Sequence, residues 1–166
     1  MTTQNNGKRR DLSKVEGLLI TAEAATWKGT SYALVGDKSV KQNGGDCSGS
    51  TYKIYDKAGF PYDYSNSANF QSYAISSGLF REIGIGEANQ DGDILSWTNH
   101  MAIFSKFFDD KINANTSRIK KGGHAWIQSN DMWTATKPNG PVYQPNNIHY
   151  FKGGVQPKVF RYQKLI

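Results

Sequence analysis

The sequence predicts an α+β fold, and three observations carry that prediction. Helical patterns come first and short strand-like segments follow, an order that segregates helices from an antiparallel sheet. The aromatic residues (4 Trp, 9 Tyr, 8 Phe) are spread along all 166 residues and supply apolar mass for one core. Gly, Asn and Ser recur between the patterned segments, as turn residues do.

Residues 1–12 read as a polar N-terminal arm and 13–166 as a single domain. Ser13 and Glu16 match a capping box, and Leu12, Val15, Leu18, Leu19, Ala22 and Ala25 then recur at helical spacing. Gly17 weakens that helix by roughly 1 kcal/mol relative to Ala. Residues 28–45, rich in Gly, Lys, Asn and Ser, read as a loop that delivers the chain to Asp46. A second helix is predicted over 47–58, with Asp46 as N-cap and Gly59 as the terminating glycine. Thr51, Ile54 and Ala58 follow Cys47 on one face of it, and Pro61 prevents continuation. A third helix is predicted over 69–80. Strands are predicted over 93–97, 100–104, 125–128, 132–136 and 158–162, with 109–123 as a long polar loop.

The net charge of +6 and pI near 9.3 favour polyanionic surroundings, whether nucleic acid, anionic lipid or a bacterial envelope. No RNA-binding or zinc-finger signature accompanies the basic residues, so a basic nucleic-acid-binding module is the weaker alternative. One cysteine excludes an internal disulfide and a cysteine-rich metal site, and no metal or cofactor is expected. No stretch approaches the roughly 20 apolar residues of a membrane span. The basic N-terminus lacks the apolar region of a standard secretory signal peptide.

Cys47 stands in the run Gly-Gly-Asp-Cys-Ser-Gly-Ser at the start of the second helix. A helix N-terminus stabilises a thiolate, which is the nucleophilic form. Ser48 and Gly49 are small and are expected to leave room for a substrate, and N–H groups at the same helix end could hold an oxyanion. A lone cysteine is more often a small core residue. A core position, however, does not call for Gly-Gly-Asp before it and Ser-Gly-Ser after it. A nucleophilic cysteine needs a base, and the histidines are His100, His124 and His149. His100 opens the apolar strand His-Met-Ala-Ile-Phe and shares a strand face with Ala102 and Phe104.

In order, Asp46-Cys47-Ser48-Gly49, Gly92-Asp93-Ile94 and His100-Met101-Ala102-Ile103-Phe104 resemble the motifs of the NlpC-type cysteine peptidases of bacterial cell walls. The upstream Trp27-Lys28-Gly29-Thr30-Ser31-Tyr32 resembles that family's Gly-x-Pro-Tyr segment, with Ser31 where the proline would be. The resemblance covers about residues 18–136 and implies a papain-like fold with the cysteine helix packed on an antiparallel sheet. It implies cleavage of an amide bond in the stem peptide or cross-link of peptidoglycan, with Cys47 as nucleophile and His100 as base. Tyr32, Asp46 and Ser48 would then be substrate-binding residues.

The family's third polar residue, which orients the imidazole, has three candidate positions. His124-Ala125 matches a His-Ala pair. A hairpin of 100–108 with 123–136 puts a residue near Asp131 opposite His100, and a carboxylate suits the role. A third alignment lays Met132-Trp133-Thr134-Ala135 on the pattern and leaves Thr134 there. A small, basic, leaderless chain also resembles type VI secretion amidase effectors. These act in a target cell's periplasm and are restrained by a cognate immunity protein. Acyltransferases and deamidases share the fold and the Cys–His pair and form the alternative reaction class.

Overall fold

The computed structural model describes residues 7–27, 30, 33–84, 86–105, 132–135, 141–144 and 156–166, with side chains of 134–135 and 141–144 left aside. The predicted strand over 125–128 and loop over 109–123 lie outside these residues.

The chain opens with β1 (Arg9–Asp11), followed by α1 (Lys14–Ala25), a 3-10 turn (Gly36–Lys38), α2 (Cys47–Ala58) and α3 (Phe70–Ser77). Six strands complete it: β2 (Phe80–Glu82), β3 (Ile94–Trp97), β4 (His100–Phe104), β5 (Met132–Ala135), β6 (Pro141–Gln144) and β7 (Lys158–Leu165). The strands form one antiparallel sheet in the order β1-β7-β3-β4-β5-β6, with β2 also on β7. β7 is the hub, because Leu165 to Gln163 pair with β1, Tyr162 to Phe160 with β2, and Phe160 to Lys158 with β3. The α+β prediction therefore holds. Part of the expected arm is a strand, since the polar Arg9–Asp11 segment needs only its backbone to pair with β7.

The three helices cover one face of the sheet. Ile20 and Ala24 of α1, Ile54 and Tyr55 of α2, and Phe70 and Ala74 of α3 pack with Ile94, Met101, Ile103, Trp133 and Phe160. Leu95, Trp97, Ala102, Phe104 and Met132 form a separate buried cluster. Adjacent residues of β3 and β4 belong to different clusters, as period-two strands require.

The capping box on α1 is present. Ser13 Oγ accepts from the Glu16 N–H at 3.1 Å, and Glu16 Oε1 accepts from the Ser13 N–H at 2.8 Å. The inward face of α1 is not the stripe that the leucines suggest. Gly17, Ile20, Thr21 and Ala24 are buried, whereas Val15 is 70% exposed and Leu19 51%. Gly17 explains the difference. A Cβ there would lie 1.9 Å from the Asp91 carbonyl oxygen, so α1 presses its bare backbone onto the 91–92 turn.

α2 follows its predicted bounds, with Asp46 capping its start and Gly59 ending it at φ 103°. α3 is shorter than predicted because Gly78, at φ 74°, stops it and Phe80 enters β2.

Candidate active site

The start of α2 is held in a cage of hydrogen bonds. One Asp46 carboxylate oxygen accepts from the Gly49 N–H at 2.8 Å, the N-capping bond. The other accepts from the Gly36 N–H at 2.8 Å, which ties the 3-10 turn to the helix. Ser39 Oγ donates to the Gly36 carbonyl at 2.7 Å and accepts from the Asp46 N–H at 3.3 Å. A Cβ on Gly49 would stand 2.0 Å from the Gly36 oxygen and 2.1 Å from Ser39 Oγ. Ser48 and Gly49 are both buried. The small residue at 49 therefore makes room for the 36–39 turn, which corrects the expectation that the space beside it serves a substrate.

Cys47 itself is only partly buried. The Met101 backbone N–H, the Ser67 hydroxyl and the Ser48 N–H lie close enough to the sulfur to pull its pKa down. Met101 follows His100 directly, so the start of β4 lies beside the start of α2. Burial pushes the thiol pKa up and outweighs the Met101 N–H that pulls it down, while the neighbouring Asp46 charge pushes it up again.

His100 opens β4 directly across from Trp97, after the two-residue turn Thr98-Asn99. It is buried at 6% exposure, and its ring centroid is 5.8 Å from that of Trp97 at 51°. α2 and β4 pack together, with Cys47 at the start of the helix and His100 at the start of the strand. The Gly92-Asp93 motif has a structural task. Gly92, at φ 94°, makes the turn into β3 and donates to the Phe104 carbonyl at 2.9 Å. Asp93 pairs with Arg161 at 2.8 Å, with both groups buried.

Tyr32, His124 and Asp131 lie outside the described residues. The register between β4 and β5 differs from the hairpin that favoured Asp131. Ile103 pairs with Trp133 and Phe104 with Met132. In this antiparallel pair β5 runs from the Phe104 end toward the His100 end.

Two neighbours of the site had no sequence motif. Tyr64 Oη is 2.9 Å from Ser48 Oγ, and Ser67 reaches the thiol. Both come from the segment between α2 and α3. Its run Phe60-Pro61-Tyr62-Asp63-Tyr64, aromatic beyond what a solvated loop needs, was the available signal. Tyr64 also meets Tyr52 of α2 edge to face at 5.5 Å. Among the described residues, no group of three or more His, Cys, Asp or Glu could hold a metal ion. No helix among them is long and apolar enough to cross a membrane.

No protein-family model matches the sequence, and no curated protein matches it. A solved structure from Staphylococcus aureus subsp. aureus Mu50, described as similar to a lipoprotein of the NLP/P60 family, is similar in fold. The TM-score is 0.56 and the identity 20%, over 93% of this chain and 44% of that one. The chain thus has an NlpC/P60-type α+β fold and spans less than half the length of that protein.

Proposed function

We propose that the protein is a cysteine hydrolase that cuts an amide bond in the stem peptide or cross-link of peptidoglycan. The observation that carries this reading is the Cys47 thiol at the start of α2, beside the backbone N–H of the residue after His100. The NlpC/P60-type fold supports the substrate class, and the net charge of +6 suits an anionic wall.

In this mechanism His100 accepts the thiol proton as the sulfur attacks the carbonyl carbon. The carbonyl oxygen becomes an oxyanion, which first-turn N–H groups of α2 can stabilise. Collapse breaks the C–N bond, and His100 returns the proton to the leaving amine. Water, deprotonated by His100, then hydrolyses the thioester and restores the thiol. Asp46, with both oxygens bonded to backbone N–H groups, holds the helix end in place. Asp46 and Ser48, with Tyr32, are also the proposed contacts to the stem peptide.

The test is digestion of purified muropeptides followed by mass measurement of the products. Paired fragments whose masses sum to the substrate plus one water support hydrolysis and name the bond. An intact digest, with the folded protein present, refutes it. The finer proposal is an antibacterial effector that acts in a target cell's periplasm and is restrained by a cognate immunity protein. Expression with a periplasmic targeting signal tests that role. Lysis that Cys47→Ala abolishes supports it, and undisturbed growth with active enzyme in the periplasm refutes it.

A further inference from the structure

We propose that the recess beside the tip of the β3–β4 hairpin is a carboxylate-binding subsite, in which Lys158 fixes an acidic residue of the substrate. This rests on the peptidoglycan-hydrolase reading above and adds a determinant of which peptides are taken.

Three strands place Lys158 relative to the thiol. Met101 of β4 pairs with Ser96 of β3, and Ser96 pairs with Lys158 of β7. Directly paired residues share a sheet face, so Met101, Ser96 and Lys158 form one cross-strand row. The Met101 N–H, which pulls the Cys47 pKa down, stands at one end of the row. Lys158 stands at the other end, two strand spacings or roughly 10 Å away.

Beside this row lies a recess of about 430 Å³. Ser96, Thr98, Asn99, Gln71 and Lys158 are among the residues that line it. Gln71 Nε2 donates to the Ser96 carbonyl at 3.1 Å and to Ser96 Oγ at 3.2 Å, which fixes wall to floor. α3, which carries Gln71, begins just after Ser67, the residue whose hydroxyl meets the thiol.

Its charge is one-sided. Lys158 is the one charged residue lining it among the described residues. Elsewhere Arg10, Lys41, Arg81, Arg161 and Lys164 each sit on a carboxylate. Lys158 is exposed and, among the described residues, has no carboxylate partner. An ammonium at a polar recess with no internal partner suits a ligand carboxylate. A peptide with its scissile carbonyl at Cys47 reaches about 7 Å over two extended residues, which brings a nearby free carboxylate within range of the lysine side chain.

The test uses two stem-peptide fragments, one with its D-glutamate carboxylate free and one with that carboxylate amidated. Binding to Cys47→Ala protein is measured by calorimetry, with and without the further change Lys158→Ala. The free acid is expected to bind about tenfold more tightly than the amide, and Lys158→Ala should erase that difference while leaving amide binding unchanged. Lys158→Arg should retain most of the preference, and raised salt should reduce it. Equal binding of acid and amide, no binding of either, or a preference that survives Lys158→Ala overturns the proposal. Because the readout is binding, it stands apart from turnover. An enzyme that binds with this preference yet cuts nothing would sink the hydrolase reading alone.

Discussion

Gly49→Ala tests whether the residue after Ser48 serves the substrate or the scaffold. The added methyl would stand 2.0 Å from the Gly36 carbonyl oxygen, 2.1 Å from Ser39 Oγ and 2.8 Å from Asp46 Oδ1. Ordinary carbon–oxygen contact needs well over 3 Å, so the 36–39 turn must retreat by more than an ångström. Retreat breaks the Gly36-to-Asp46 bond at 2.8 Å and the Asp46-to-Ser39 bond at 3.3 Å. Overpacking costs about 1–3 kcal/mol. A strained cap adds about 1 kcal/mol. The helix preference of Ala over Gly returns up to about 1 kcal/mol. The net is a loss of about 1–3 kcal/mol, or about 2–12 °C in Tm for a domain of this size. Thermal unfolding followed by circular dichroism reads it directly. A Tm equal to or above wild type, as helix propensity alone would give, refutes the cage.

Further outcomes follow from the same coordinates. Arg161→Leu leaves the Asp93 carboxylate buried and unpaired and should cost about 3–5 kcal/mol in urea unfolding. Arg161→Leu with Asp93→Leu should cost clearly less than the single change, and equal losses would show that the charge is not what matters. The Arg81 guanidinium beside Asp11 holds its carboxyl at about 2, below the usual range near 3.8. A depressed folded pKa stabilises above the unfolded value, so this contribution should fade as pH drops from about 4 to about 2. Asp11→Asn should flatten the urea midpoint over that window, and an unchanged slope contradicts the pairing. His124→Ala and Asp131→Ala should be compared, because the variant with wild-type kcat does not remove the residue that orients His100. A loss of a hundredfold or more with an unchanged Tm would mark the orienting residue.

What was legible in the sequence was what local chemistry dictates. Ser13 and Glu16 announce a cap because both partners lie within one turn. Asp46 and Gly59 bracket α2 for the same reason, and β3 and β4 form a hairpin across two turn residues. What stayed hidden depends on distant partners. Arg9–Asp11 has no apolar pattern and becomes a strand only because β7 offers its edge from the far end of the chain. The stripe Val15, Leu18 and Leu19 promised a buried face, yet the approach of Gly17 to Asp91 turned the helix the other way. Within the site, Cys47 and His100 were legible from flanking motifs, whereas Tyr64 and Ser67 were not. Their contacts to α2 close loops of sixteen and twenty residues, and nothing at those positions marks the partner.

The central claim is that Cys47 and His100 act as one unit on an amide bond. Amine release from purified sacculi by wild type, Cys47→Ala and His100→Ala, each confirmed folded by its Tm, tests it most directly. The account requires steady release by wild type and a loss of at least a thousandfold in both variants. Release by Cys47→Ala at a rate close to wild type would contradict it.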